Sequence, residues 1–378
     1  MSAHLNEHER QVIDRAEKFA SEFLAPRVAD WERTKTHAAE GIKAAGDWGL
    51  SGFLTPQEHG GLGLGLQASV HLVRAFASQC MGFTLAYVVH DNRATNIALH
   101  GTDQMRERFV PGLISGDLIG SFLLTEPGAG SDAAAIQCLA RPDGDGWVLN
   151  GEKAWITNAA GAHVLTIYTQ TDPELGPKGI AGFVIEADRE GVERLPSYDM
   201  VGGHAAGVGG FRFNDVRLTK DDLLYPAGQA LKRALGSINN ARVFVAAQST
   251  GMMQASLNRA VEYTKSRQAF GQHVADFQGI QWMLADVQTD LEAAKLLTER
   301  AAQLIDAGED AQIAASHAKK FATRAASARI ADCAQVMGAN GAKIEEPTAR
   351  HFNCTRLMQY MDGATEVQNL ILARALFA

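Results

Sequence analysis

A short loop rich in glycine, hydroxyl and acidic residues is the segment of this sequence best suited to bind a ligand. It runs from Leu124 to Asp132, reads Leu-Thr-Glu-Pro-Gly-Ala-Gly-Ser-Asp and follows an apolar run typical of a strand. Glycine lets the backbone approach a ligand, and exposed N–H groups bind phosphates or the polar edge of a ring. Glycine also forms ordinary turns, so residue type alone makes the loop only a candidate. It matches neither the Walker loop nor the GxGxxG of a βαβ unit, which disfavours nucleoside triphosphate and nicotinamide sites.

A lone carboxylate in an apolar helical pattern is the second feature with possible chemistry. Asp91 lies in the polar run Tyr87–Arg93. Burying an unpaired carboxylate is costly, so such a residue usually serves a purpose. From the residues alone, one such purpose is a salt bridge with Arg93 or another basic group. The neighbouring His90 is interpreted as an ordinary histidine of the core or the surface.

The elements that must position these residues change type twice along the chain. Apolar residues at spacings of three and four predict helices as far as Gly116, and Asn6 with Glu9 fits a capping box at the first of them. Short β-branched and aromatic runs predict strands from Asp117, and helical periodicity returns near Gly228. Segregated helices and strands predict an α+β fold rather than a doubly wound sheet. The predicted domains are N-terminal helical (1–118), small β-barrel or sandwich (119–226) and C-terminal four-helix bundle (227–378).

The composition is that of an ordinary globular protein without a strong electrostatic partner. The 378 residues are 46% apolar and carry a formal net charge of -8, which disfavours nucleic acid and anionic membranes. No apolar run approaches the roughly 20 residues of a membrane span, and the first thirty residues lack a signal-peptide pattern. A cytoplasmic location is expected. Four dispersed cysteines predict buried free thiols and no metal site. The basic cluster Lys319, Lys320, Arg324 and Arg329 is interpreted as a solvated face or subunit contact.

Six segments in order along the chain resemble signatures of the acyl-CoA dehydrogenase family. The loop Leu124–Asp132 is followed by Asn-Gly-Glu-Lys-Ala-Trp-Ile-Thr-Asn, and the likeness extends over essentially the whole chain. One such motif would be weak evidence, but six on the predicted helical, β, helical order make chance similarity improbable. The segments are 56–62, 124–132, 150–158, 266–271, 277–281 and 335–338.

The resemblance implies an FAD held between the β domain and the C-terminal helices. Thr125 and its neighbouring backbone match the contact to the flavin pyrimidine edge, Ser131 the phosphate and CoA end, and Trp155 with Thr157 the pair beside the reactive nitrogen. A neighbouring subunit is implied to reach the pyrophosphate and adenine, which predicts a homotetramer built as a dimer of dimers. Arginine suits a pyrophosphate by its charge and forked donors. The positions implied across subunits are Arg267, Phe270, Gln278, Gln335, Gly338 and Ala339. Further cofactor positions are Phe122, Leu124, Ala364, Thr365 and Glu366, and substrate positions are Ser131, Asn239, Arg242 and Gly363.

The sequence departs from its family at the catalytic base. The usual Tyr-Glu-Gly-Thr is matched by Met361–Ala364, so aspartate, Asp362, occupies the base position. Losing one methylene withdraws the carboxylate by about 1 Å, and such a misplacement can cost ~100-fold in rate unless the site is reshaped. The alternative position used by some relatives, before Arg242, holds Ala241, and Asn239 replaces a common aspartate. Asp91 resembles the remote base of members that oxidise cyclic acyl-CoA.

Three hypotheses follow from these residues. The first is α,β-dehydrogenation of an acyl-CoA by Asp362 and FAD, with electrons passed to an electron-transfer flavoprotein. The second keeps the fold and makes Asp91 the base for a cyclic or unsaturated acyl chain. The third is a non-catalytic protein that binds FAD or acyl-CoA. The sequence leaves open the identity of the acyl group. It also leaves open whether the thioester is to CoA or to a carrier protein.

Overall fold

The computed structural model describes residues 5–378 and places three regions in sequence: helices, one mixed sheet, and helices again. This order confirms the predicted α+β fold with segregated helices and strands. The first four residues of the predicted N-terminal domain lie outside the described range. No helix within residues 5–378 has both the length and the apolar character that a membrane crossing requires.

The N-terminal region consists of helices joined by short turns. The capping box is confirmed: Asn6 Oδ1 accepts from Glu9 N–H at 2.9 Å, and Glu9 Oε2 accepts from Asn6 N–H at 2.9 Å. Thr102 caps the last helix of the region, and Gly116 ends it in the left-handed conformation that glycine tolerates. The helices are α1 Glu7–Phe19, α2 Val28–Thr34, α3 Ala39–Asp47, α4 Leu66–Ala77, α5 Met81–His100 and α6 Asp103–Ser115.

The middle region is an eight-stranded sheet in the order β6-β7-β3-β2-β4-β5-β8, with β1 paired to β4. The β1–β4 and β2–β4 pairs are parallel and the other pairs are antiparallel. One core cluster lies within the sheet region, and a second packs strands against α5 and α6. The strands are β1 Gly120–Leu123, β2 Leu139–Asp143, β3 Gly146–Ile156, β4 Val164–Gln170, β5 Ile180–Glu186, β6 Val192–Arg194, β7 Gly209–Leu218 and β8 Leu223–Tyr225.

The C-terminal region packs long helices on one another and on α4. The 37-residue helix α7 is buried from Arg242 to Met253, and its core is continuous with that of the N-terminal helices. The four cysteines, Cys80, Cys138, Cys333 and Cys354, are buried and free, as predicted. The elements are α7 Ala230–Ser266, the hairpin β9 Gln268–Ala269 and β10 Gln272–His273, α8 Gln278–Asp306, α9 Gln312–Met337, α10 Pro347–Tyr360 and α11 Thr365–Leu376.

Candidate active site

An irregularity in the sheet presents Trp155 at its surface. The β3–β7 register shifts between Lys153 and Ile156, and within this interval Trp155 has φ of +59°. A bulky residue with positive φ is uncommon and costs about 1 kcal/mol or more. Trp155 is 60% exposed and its ring centre lies 4.5 Å from that of Tyr198. Trp155 is therefore not a core aromatic, and the bulge holds its ring available to a ligand.

A buried ion pair ties the glycine-rich loop to the Trp155 strand. Lys153 Nζ donates to Glu126 Oε1 at 2.7 Å and to the Leu124 carbonyl at 2.9 Å. The carboxylate of Glu126 also accepts the backbone N–H of Gln137 at 2.6 Å and of Cys138 at 2.9 Å. Both partners are buried, so their charges are satisfied only by each other and by these backbone groups. The pair fixes where the loop begins.

The residues matched to the flavin ring share one edge of the β region. Ala154 N–H donates to the Thr125 carbonyl at 3.0 Å, and Ser121 Oγ donates to the Thr157 carbonyl at 2.8 Å. Leu124 is buried and Phe122 packs against the second core cluster, so their side chains face the core. Ser131 is exposed, and a Cβ built on either loop glycine, Gly128 or Gly130, would meet nothing within 4 Å. The loop backbone is thus open to a ligand.

The turn that carries Asp362 is held by donors from three helices. Asp362 and Gly363 have φ of +53° and +91°. Arg242 Nε on α7 donates to the Asp362 carbonyl at 3.3 Å. Lys319 Nζ on α9 donates to the Gly363 carbonyl at 2.7 Å, and Gln368 Nε2 on α11 donates to the same oxygen at 2.9 Å. Because a left-handed aspartate is strained, these contacts are what keep the carboxylate on this turn.

The interpretation of Lys319 as part of a solvated basic face is wrong. Its side chain is buried, with 1% relative exposure, and its ammonium donates to the backbone of the Asp362 turn. Burial lowers its pKa to about 8, against the raising influence of Asp362. The signal in the sequence was its small neighbours, since Ala315, Ala318 and Ala322 mark the packed face of α9.

Opposing effects act on the Asp362 carboxyl. Its burial raises the pKa above the ordinary aspartate value, and the charges of Lys319 and Arg242 counter that increase. Arg242 is itself buried, and Nη1 donates to Asn239 Oδ1 at 3.1 Å. The predicted substrate positions Asn239, Arg242 and Gly363 are therefore brought together beside Asp362.

Asp91 lies in different surroundings. It is fully buried on α5, where Oδ1 accepts the backbone N–H of Gly52 and, at 3.3 Å, that of Phe53. Its other oxygen, Oδ2, has no hydrogen-bond partner, and burial raises the pKa of the carboxyl to about 7. Within residues 5–378 Asp91 has no salt bridge, and Arg93 instead lies 4.9 Å from the ring centre of Phe122. The salt-bridge interpretation of Asp91 is therefore wrong.

The residues implied to act across subunits lie on exposed surfaces. Phe270, at the tip of the β9–β10 hairpin, is 96% exposed and has φ of +51°. Arg267, Gln278 and Ala339 are exposed too. On α9 and just after it, Gln335 and Gly338 line an open cavity of about 450 Å³ that also contains Phe352. The start of α11 carries Ala364, Thr365 and Glu366, directly after the base turn.

These features define a class of protein. A β domain with an open glycine loop and a presented tryptophan, followed by a helical domain with a half-buried carboxylate on a pinned turn, is the architecture of a flavin oxidoreductase that acts on an activated acyl group. The open loop backbone and the exposed ring of Trp155 fit an FAD, whose large planar ring and phosphates need both features.

Comparisons with known proteins give the particular family. Family models for the N-terminal, middle and C-terminal domains of acyl-CoA dehydrogenases match residues 6–117, 121–216 and 228–377. The mitochondrial short-chain specific acyl-CoA dehydrogenase of Bos taurus is 35% identical over 373 residues, covering 98% of this chain and 90% of that protein. The chain belongs to the acyl-CoA dehydrogenase family. It is accordingly an FAD-dependent oxidoreductase that dehydrogenates acyl-CoA.

Two solved structures are similar over the full chain. The butyryl-CoA dehydrogenase of Megasphaera elsdenii has a TM-score of 0.95 and 30% identity, covering 100% of both chains. A chain from structural work on the electron transferring flavoprotein of Acidaminococcus fermentans has a TM-score of 0.95 and 32% identity, covering 100% of this chain and 99% of that one.

Proposed function

We propose that the protein dehydrogenates a short acyl-CoA thioester with Asp362 as the catalytic base. The observation that carries the proposal is the half-buried carboxylate of Asp362, on a turn whose backbone carbonyl accepts from the buried cation Arg242. Relatives named for short-chain acyl-CoA and butyryl-CoA support a short acyl group.

The reaction divides between the turn and the cofactor. Asp362 takes the proton from the carbon beside the thioester carbonyl, and a carbon–carbon double bond forms as the next carbon gives up hydride. FAD, held by Thr125, Trp155 and the loop backbone, supplies the hydride acceptor when bound. The N–H of Asp362 has no protein acceptor within residues 5–378, so it is free to donate to the thioester oxygen and polarise it.

The ionisation of Asp362 sets the pH range of this chemistry. Its raised pKa means that the acid limb of the kcat profile lies above the ordinary aspartate value of 3.8. The carboxylate is the active form, so turnover rises as the pH increases through the pKa and falls below it.

Replacing the base tests the assignment. Asp362→Asn removes the proton acceptor with little change in size, and we expect kcat on butyryl-CoA to fall by about 10² to 10⁴. FAD absorbance and thioester binding, measured by flavin spectral perturbation, stay close to those of the parent. Full turnover by a loaded Asp362→Asn protein would reject Asp362 as the base.

A second candidate uses Asp91 as base for a cyclic or unsaturated acyl-CoA. The observation in its favour is the buried Oδ2, which has no partner within the described residues. Asp91→Asn and Asp362→Asn are compared on butyryl-CoA, cyclohexanecarboxyl-CoA and 3-phenylpropionyl-CoA. Loss confined to the cyclic or aryl substrates in Asp91→Asn supports the candidate, and unimpaired turnover on all three rejects it. Anaerobic bleaching of the flavin by any of these thioesters also rejects a purely binding role.

The proposal also covers the electron acceptor, the oligomeric state and the location of the protein. We infer that an electron-transfer flavoprotein reoxidises the flavin, a partner class supported by the similarity to the chain from the Acidaminococcus work. A homotetramer is supported by large apolar side chains on the surface, among them Phe270 and Trp282. A cytoplasmic location is proposed because four buried free thiols suit a reducing compartment.

A further inference from the structure

Buried side chains donate to the backbone of the Asp362 turn, and one of them, Lys319, is a cation without a carboxylate partner among residues 5–378. Lys319 Nζ donates to the carbonyls of Gly363 at 2.7 Å and Gln359 at 3.4 Å. These carbonyls lie on either side of Asp362, so a single ammonium spans the turn. No ion pair of Lys319 is found in residues 5–378. Because these carbonyls are neutral, they do not cancel the charge of the ammonium, which still attracts the nearest carboxylate.

We propose that Lys319 is a positioning residue for the reaction: it holds the turn on both sides of Asp362 and places a positive charge near that residue, which favours the ionised carboxylate. The inference rests on the proposed role of Asp362 as base. It assigns Lys319 no contact with substrate, because its ammonium is buried and donates to two backbone carbonyls of the turn.

Charged side chains from three helices affect the ionisation of Asp362, either directly or through Lys319. Lys319 on α9 and Arg242 on α7 favour the carboxylate. Glu366 on α11 acts on Lys319 in the direction of keeping it protonated. Arg242 on α7 donates to the Asp362 carbonyl and to Asn239 Oδ1, whereas Lys319 on α9 donates to the following carbonyl, that of Gly363. Both cations therefore counter the effect of burial on the Asp362 carboxyl, and removing either raises its pKa further.

The geometry explains why a cation rather than a neutral donor occupies this position. Gln368 already donates to the Gly363 carbonyl at 2.9 Å, so hydrogen bonding alone does not require a lysine. Burying a lysine costs free energy that a shorter neutral side chain would avoid. The charge is the property that Gln368 lacks.

The test measures the titration of Asp362 directly, in the resting FAD-loaded enzyme. Infrared difference spectra between parent and Asp362→Asn isolate the carboxyl stretch of Asp362 as a function of pH. In Lys319→Met we expect the pH midpoint of the Asp362 carboxyl titration to rise by about one unit, because one nearby opposite charge is lost. Steady-state kcat at pH 7 falls about tenfold or more while KM changes less than about threefold, since the lost group positions the base and does not bind substrate.

Three further variants separate charge from packing. Lys319→Arg keeps a cation and restores the midpoint toward the parent value, whereas Lys319→Gln keeps an N–H donor without charge and behaves like Lys319→Met. Lys320→Met, the half-buried neighbour on α9, serves as the matched control and leaves the midpoint and kcat unchanged. If Lys319→Met does not fold, Lys319→Gln supplies the same measurement.

The outcomes distinguish this inference from the function it rests on. Full turnover by Asp362→Asn rejects Asp362 as base, while a raised midpoint in the Lys319 variants still supports the control of its ionisation. An unchanged midpoint in Lys319→Gln or Lys319→Met overturns the inference, whatever happens to kcat. In an Asp362→Asn background Lys319→Met adds no further loss of kcat, and an additional large loss would contradict action through Asp362.

Discussion

Two aspartates with raised pKa values occupy different settings in this molecule. Asp362 lies on a left-handed turn whose carbonyls accept from two cations, whereas Asp91 is buried against the backbone of Gly52 and Phe53 with one oxygen unsatisfied. The first setting favours a group that ionises during turnover. In the second setting the folded state favours the protonated carboxyl, so the free energy of unfolding depends on pH.

The pH dependence of folding follows from Asp91. Its pKa of about 7 exceeds the ordinary value of 3.8, so the folded state binds the proton more tightly than the unfolded chain. The stabilisation is complete below about pH 3.8 and is lost as the pH rises to about 7, at about 1.4 kcal/mol per pH unit. We expect Asp91→Asn to gain thermal midpoint relative to the parent when both are moved from pH 5 to pH 8.

The comparison with an exposed aspartate checks that prediction. Differential scanning calorimetry at both pH values includes Asp14→Asn, whose side chain lies on the surface of α1. A difference between Asp91→Asn and parent that does not depend on pH would show that the Asp91 carboxyl is ionised throughout this range.

At the scale of elements, one bulged strand and one buried ion pair form the edge at which the cofactor is proposed to bind. The bulge in β3 turns Trp155 outward, and Lys153 two residues earlier holds Glu126 and the Leu124 carbonyl. Strand β3 thus carries both Trp155, whose ring is exposed, and the Lys153 side of the Lys153–Glu126 clamp that holds the glycine-rich loop. Sequence motifs located these residues, but the pairing of Glu126 with Lys153 required the fold.

Breaking this clamp is expected to weaken both the fold and FAD binding. Lys153→Met leaves the buried Glu126 carboxylate without its cation, a change that costs roughly 3 to 5 kcal/mol. We expect a lower thermal midpoint and a protein purified with less FAD, measured by the flavin to protein absorbance ratio. Lys178→Met, at an exposed position of the same region, is the control. Parent-like FAD content in Lys153→Met would exclude a role for the pair in holding the loop.

For the whole molecule, the exposed hairpin fits the proposed assembly, in which a neighbouring subunit completes the cofactor site. Phe270 is 96% exposed in a region whose neighbours Arg267 and Gln278 are exposed as well. Large apolar side chains at such exposure mark surfaces that another molecule covers.

Complementation between two inactive variants tests the shared site. Arg267→Ala lacks the predicted pyrophosphate contact and Asp362→Asn lacks the base, so each homo-oligomer is expected to lose most of its activity. Co-expressed hybrids contain sites with one intact hairpin and one intact base, and we expect them to recover a substantial fraction of turnover. Arg10→Ala, exposed on α1, is the control and retains activity alone. Hybrids no more active than the two separate variants would indicate that each subunit completes its own site.

The sequence by itself determined the order of helices and strands, and it predicted the cofactor loop and the position of the base. Periodicities of two and about 3.6 residues report which face of an element is buried, and short motifs carry the residues that a ligand needs side by side along the chain. The Asn6 capping box and the four buried cysteines were predictable for the same reason, because each depends on local residue type.

Only the tertiary structure decided how distant residues act together. It brought Lys319 and Arg242, from different helices, to adjacent carbonyls of the Asp362 turn, paired Glu126 with Lys153, and placed Asp91 against the backbone of Gly52 instead of a cation. A basic residue at helical spacing looks the same in sequence whether it faces water or a turn, since its burial depends on what packs against it. Burial and the distance between charges then set the pKa values on which the chemistry depends.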